Sequence, residues 1–142
     1  MATAHPLHPA LVHFPIACWT LATAADCAGL FWPTQAWPFA GAMLALGMAT
    51  ALAAIATGFL ELLRLAPDHP AMGDLNTHVC LVLAAFCAYL GSLLLRMRGH
   101  WPIDPHWPAL AFSVVGFLLL CAAGWFGGRL VYHHRVGVEN QA

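Results

Sequence analysis

Lysine is absent from this sequence, and acids and bases together supply only 8% of its 142 residues. The five arginines form no basic stripe, which argues against a nucleic-acid surface. A soluble domain of this length carries about 25% charged residues. A chain that is 61% hydrophobic has too little polar surface to cover a water-soluble globule, so its solvent is mostly lipid. The five cysteines (Cys18, Cys27, Cys80, Cys87 and Cys121) all fall inside apolar runs, and none forms C-x-x-C or C-x-x-C-H. The odd count argues against a disulfide framework, and the lack of C-x-x-C-H against covalent haem attachment. They read as small hydrophobes packing helix against helix. The start lacks a charged n-region and a small-residue cleavage signal, so the first apolar stretch is expected to stay as a membrane helix.

Apolar runs are what the chain has in abundance. A helix crossing about 30 Å of hydrocarbon needs about 20 apolar residues, and four segments qualify. The first runs from Phe14 to Phe31, with Pro15 in its first turn, and the second from Trp37 to Leu63, beginning near Pro38. The third spans Asn76 to Leu95, with Asn76 or Thr77 as N-cap. The fourth covers Pro108 to Tyr132. The Pro- and Trp-rich connections are short, so neighbouring helices are expected to be antiparallel. The fold expected is all-α, an integral membrane four-helix bundle running up-down-up-down, with one domain over residues 1–142, no linker and no internal repeat.

This topology sorts the polar residues by side. One face collects His5, His8, His13, Glu61, Arg64, His69, His78, Arg129, His133 and His134, which includes seven of the nine histidines. The other face holds Trp32, Trp37, Arg96, Arg98, His100, Trp101, His106 and Trp107, an interfacial belt at headgroup level. Arg96 and Arg98 favour that belt as the cytoplasmic side, which places the histidine face outside. Asp26 lies in the first helix on the belt side. Its expected role is to cap the turn into the second helix, with a proton path as the alternative. The second and fourth helices are rich in glycine and alanine. These residues either let helices approach closely or make room for a flat macrocycle.

Histidines at the edge of hydrocarbon are costly, and a group of them on one side points to a bound metal or cofactor. Neutral imidazole suits iron, copper and zinc. A b-type haem requires two axial histidines from facing helices and cationic or hydroxyl partners for its propionates. The chain supplies His8, His13, His78 and His134 as ligands, with His5 as a spare. Arg64, Arg129 and Tyr132 are the propionate partners. By helix position, His13 pairs with His78 for one haem and His8 with His134 for a second. His69, His100 and His106 sit in loops beside prolines and read as structural. The rival is a bare zinc, copper or iron site using the same four histidines with Glu61.

On these residues the chain resembles a family of small four-helix bacterial membrane proteins catalogued as a domain of unknown function. The opening H-P-x-H-P-x-L-V-H-F-P-I-A is matched by His5 through Ala17, followed by Asp26, Gly29 and the lone His78. The closing W-x-G-G-x-x-V-Y-x-H-x-V-G-V is matched by Trp125, Gly127, Gly128, Val131, Tyr132, His134, Val136, Gly137 and Val138. The resemblance favours His134 over His133. The family usually has glycine at the position of Arg135 and often an acid at that of Arg129, which speaks against a family-wide propionate role for Arg129. Relatives joined to Rieske-type or c-type cytochrome domains imply an electron-transfer setting.

The expected protein is therefore a b-type cytochrome of the bacterial inner membrane, carrying one or two non-covalent haems near one face. It would pass electrons between a quinone pool and a Rieske-type or c-type cytochrome partner. The alternatives are a metal-binding membrane protein and an anchor for a soluble redox partner. A homodimer is a further expectation, because four short helices shield little volume around two macrocycles. No residue pattern identifies a substrate, so an electron carrier is expected before an enzyme.

Overall fold

In hydrocarbon an unpaired backbone amide has no water to turn to, so an apolar run closes its hydrogen bonds within a helix. A computed structural model of the chain describes residues 7–63, 65–98, 101–102 and 107–137. Its elements are α1 (Leu7–Leu11), α2 (His13–Ala28), α3 (Pro33–Leu62), α4 (Met72–Arg96), β1 (Met97–Arg98), β2 (Trp101–Pro102) and α5 (Trp107–Tyr132). The β1 and β2 segments make one short antiparallel pairing. Only Val12, itself in helical conformation, separates α1 from α2. The four spans Leu7–Ala28, Pro33–Leu62, Met72–Arg96 and Trp107–Tyr132 are each long and apolar enough to cross a membrane. The chain is an all-α, four-helix membrane protein.

Three of the spans start four or more residues earlier than the sequence suggests, the first of them at Leu7. Pro33 begins α3, its ring presetting the helical φ where no amide donor is required. The Trp37 ring lies over Gly29, where an added Cβ would come within 2.0 Å of the indole, and its Nε1 donates to the Asp26 carbonyl at 3.4 Å. This contact holds the first turns of α3 against the end of α2, so Pro38 is carried inside the helix. The α4 helix starts at Met72, and Thr77 lies within it, donating to the Gly73 carbonyl at 3.0 Å. The preceding loop is shaped by His69, whose Nδ1 accepts from the Ala71 amide at 3.1 Å. That fits the structural role expected for His69.

The helices pack as two hairpins. The most extensive contacts join α2 to α3 and α4 to α5, and thinner ones join α2 to α5 and α3 to α4. The core between them is Trp19, Ala22, Leu44, Met48, Ala51 and Tyr89. Trp19 stacks on Tyr89 with ring centroids 4.8 Å apart and planes 18° from parallel. Gly47 receives the Trp19 ring and Gly116 the Tyr89 ring, so for these glycines close packing is the operative role. Of the cysteines, only Cys18 is buried; Cys27, Cys80, Cys87 and Cys121 lie exposed on the outside of the bundle and do not pack helix against helix. Exposed residues such as Phe31, Leu52 and Leu118 form the apolar exterior that a lipid-embedded chain requires.

Candidate functional site

Two of the expected histidines are held in the same way. The Nδ1 of His8 lies 2.8 Å from the Ala54 carbonyl oxygen of α3. The Nδ1 of His78 lies 2.8 Å from the Ala123 carbonyl oxygen of α5. A carbonyl only accepts, so in each ring Nδ1 carries the proton and donates. The neutral imidazole then keeps a lone pair on Nε2. Four residues after each accepting alanine comes a glycine against the same ring. A Cβ on Gly58 would fall 2.8 Å from the His8 imidazole, and one on Gly127 would fall 3.2 Å from that of His78. In a helix, a side chain at position i+4 lies over the carbonyl of residue i, so glycine there leaves that carbonyl open to a second donor. Each hairpin thus offers an Ala-x-x-x-Gly ledge that seats one imidazole.

Both rings are partly buried. His8 sits on α1, whose contacts are mainly with α3, and its backbone N–H donates to Glu61 Oε1 at 3.2 Å. Glu61 therefore anchors the short helix that carries His8. Among the described residues, no hydrogen bond or ion pair joins the two hairpins in this half of the bundle. Each polar contact among the described residues at the histidine end stays within one hairpin.

The other expected residues are placed differently. His13 is exposed, and its Nδ1 lies 3.4 Å from the Ala10 carbonyl oxygen. His134 donates from Nε2 to Asp74 Oδ2 at 2.9 Å, with His133 edge-on against it. Of the four expected ligands, only His8 and His78 are seated on the carbonyl of a neighbouring helix in this way. The physical reason is that α1 continues the first span beyond Pro15 and carries His8 onto α3, while Asp74 occupies His134. Arg129 is half-exposed and engages the same Asp74 at 3.1 Å. Tyr132 is 88% exposed. His5 and Arg64 lie outside the described residues. Among the described residues, no three His, Cys, Asp or Glu side chains form a group that could hold a metal ion. The four-histidine metal cluster is thus not assembled.

The opposite end of the bundle is locked. Asp26 and Arg96, each no more than 1% exposed, form a two-pronged ion pair, with Nη1–Oδ1 at 2.7 Å and Nη2–Oδ2 at 2.5 Å. Ser92 Oγ accepts from Arg96 and lies 2.8 Å from Ser113 Oγ. Thr23 links to Tyr89 and to the Ser113 carbonyl. This corrects two expectations: the Asp26 carboxylate does not cap the turn, and Arg96 is not a headgroup-level belt residue. The pairing has a sequence signal, since an acid inside an apolar helix demands a partner and Arg96 ends a helix on the same side. The carbonyls of Ala54 and Ala123 leave no such signal. An apolar groove of about 370 Å³ opens nearby, lined by Asp26, Leu30, Trp107, Leu110 and Val114, and it is separate from the two imidazoles.

Fold and site together define a four-helix membrane protein with one imidazole seated on each of two hairpins. The chain belongs to the family described as "Predicted membrane protein (DUF2231)", whose model matches residues 4–140. No curated protein and no solved structure matches it.

Proposed function

We propose that this protein is a membrane-embedded b-type cytochrome holding one non-covalent haem between His8 and His78. The observation that carries this reading is the matched pair of imidazoles. Each has Nδ1–H committed to a helix carbonyl and a lone pair left on Nε2, and the two belong to different hairpins. A bare metal ion generally takes three or more protein donors, whereas a haem takes two axial ones.

A b-type haem bound there supplies reversible one-electron chemistry at iron. The chain's own residues supply the rest. The Nδ1–H···O=C bonds fix the orientation of each ring and raise the basicity of Nε2. Glu61 holds α1 in place, so His8 is presented from an anchored segment. The apolar helices around the rings keep water away, which with the ligand type tunes the potential. Electrons would pass between the membrane quinone pool and a Rieske-type or c-type cytochrome partner at the histidine face, in the bacterial inner membrane with that face outside.

The test is an absorption spectrum of detergent-purified protein, oxidised and then dithionite-reduced, with haem quantified per chain. A sharp reduced α-band at one haem per chain is expected. It should be lost in His78→Ala and in His8→Ala. A colourless parent protein, or full haem content in His78→Ala, overturns the reading.

A further inference from the structure

The residues that meet across the two hairpins are spaced by a constant. Seventy residues separate Trp19 from Tyr89 and Asp26 from Arg96, two pairs in direct contact. The same seventy separate His8 from His78. On the second helix of each hairpin the spacing is sixty-nine. It relates Gly47, which receives the Trp19 ring, to Gly116, which receives that of Tyr89. It also relates Ala54 to Ala123, and Gly58 to Gly127, the two ledges that seat the imidazoles. A faint sequence echo accompanies this: H-x-x-L-V recurs at His8–Val12 and His78–Val82, seventy residues apart. The packing of α2 on α5 is likewise matched by that of α4 on α3.

A residue meets its own counterpart only where a twofold axis passes between them. Two such meetings lie along the bundle, aromatic with aromatic and acid with base, and His8 and His78 hold equivalent positions at the histidine end. The span Leu7–Ala28 corresponds to α4, and α3 corresponds to α5. Both hairpins enter from the same side of the membrane, so the axis runs along the membrane normal, as in parallel-repeat transporters. We infer that the chain is a duplicated helical hairpin, and that its binding site lies on the pseudo-twofold axis and takes a single ligand, held by the equivalent residues His8 and His78. The Asp26–Arg96 pair shows what duplication within one chain permits. Two identical hairpins would place acid against acid there, whereas divergence of one copy makes an attractive pair that fixes the two repeats in register. The inference rests on the haem reading only for the identity of the ligand. The axis stands on geometry alone.

The test is an exchange across the axis in the full chain: Trp19→Tyr with Tyr89→Trp, Ala22→Ser with Ser92→Ala, and Asp26→Arg with Arg96→Asp. If the repeats are equivalent, the exchanged chain is recovered in detergent as monodisperse, helical protein within about twofold of the parent. Asp26→Arg alone, which sets like charges against each other, should lose at least tenfold. A milder variant, Trp19→Tyr with Tyr89→Trp only, should match the parent. Recovery of the exchanged chain no better than that of Asp26→Arg, or failure of the milder variant, overturns the axis. Two haems per parent chain overturn the single on-axis site. A folded but colourless exchanged chain, from an equally colourless parent, overturns the haem reading and supports the axis.

Discussion

His78 donates from Nδ1 to the carbonyl of Ala123 at 2.8 Å, and this carbonyl is reachable because residue 127 is glycine. Gly58 plays the same part for His8, where an added Cβ would fall 2.8 Å from the ring. Gly58→Ala should therefore displace His8 and lower haem affinity at least tenfold. Gly124, with no atom within 4 Å of an added Cβ, is the control. Gly124→Ala should keep haem and stabilise the helix by about 0.5–1 kcal/mol. Haem titration and thermal unfolding in detergent read the two effects.

His134 and Arg129 share Asp74, on the α4–α5 hairpin. Both His134→Ala and Asp74→Asn should leave the haem stoichiometry and the reduced spectrum unchanged. Because Arg129 is half-exposed, its pair with Asp74 should contribute no more than about 1 kcal/mol. A loss of haem in His134→Ala comparable to that in His78→Ala would restore His134 as a ligand.

Removing one partner of the Asp26–Arg96 pair leaves the other charge buried and alone. Asp26→Ala or Arg96→Met should each cost about 3–5 kcal/mol, whereas Asp26→Leu combined with Arg96→Met should lie near the parent. A double-mutant cycle on unfolding in detergent measures the coupling. Additive single and double effects would show that the pair contributes no coupling.

Arg135 has φ +54° and Gly137 φ +75°, just beyond the end of α5. The left-handed region is costly for any residue with a Cβ, so Arg135→Gly should stabilise the protein by about 1 kcal/mol and Gly137→Ala should destabilise it by a similar amount. A shift of the thermal midpoint in opposite directions for the two variants checks this.

Much of the architecture was legible because lipid imposes it. Four apolar runs and short turns leave little choice but an antiparallel bundle, and the sorting of histidines to one end follows from counting crossings. Boundaries were less visible: Pro33 and Met72 start helices where no side-chain cap marks the place. His8 and His78 are both expected ligands, each matched in the sequence with another histidine. Ranking by helix position could not show that α1 folds His8 onto α3, nor that Asp74 engages His134. The inferred repeat rests on roles and spacing, with few identities to mark it in the sequence.

The sequence by itself determined the solvent of this protein, its four spans and the end at which its imidazoles lie. All three follow from residue chemistry summed over lengths of helix, which needs no knowledge of neighbours. Only the tertiary structure decided which imidazoles are seated together, which carbonyls hold them, and that Asp26 meets Arg96 rather than a turn. Those outcomes depend on rotations of one helix about another, where a single residue's shift turns a side chain by about 100° on its helix. They are set by backbone atoms and glycine gaps that carry no chemical label in the sequence.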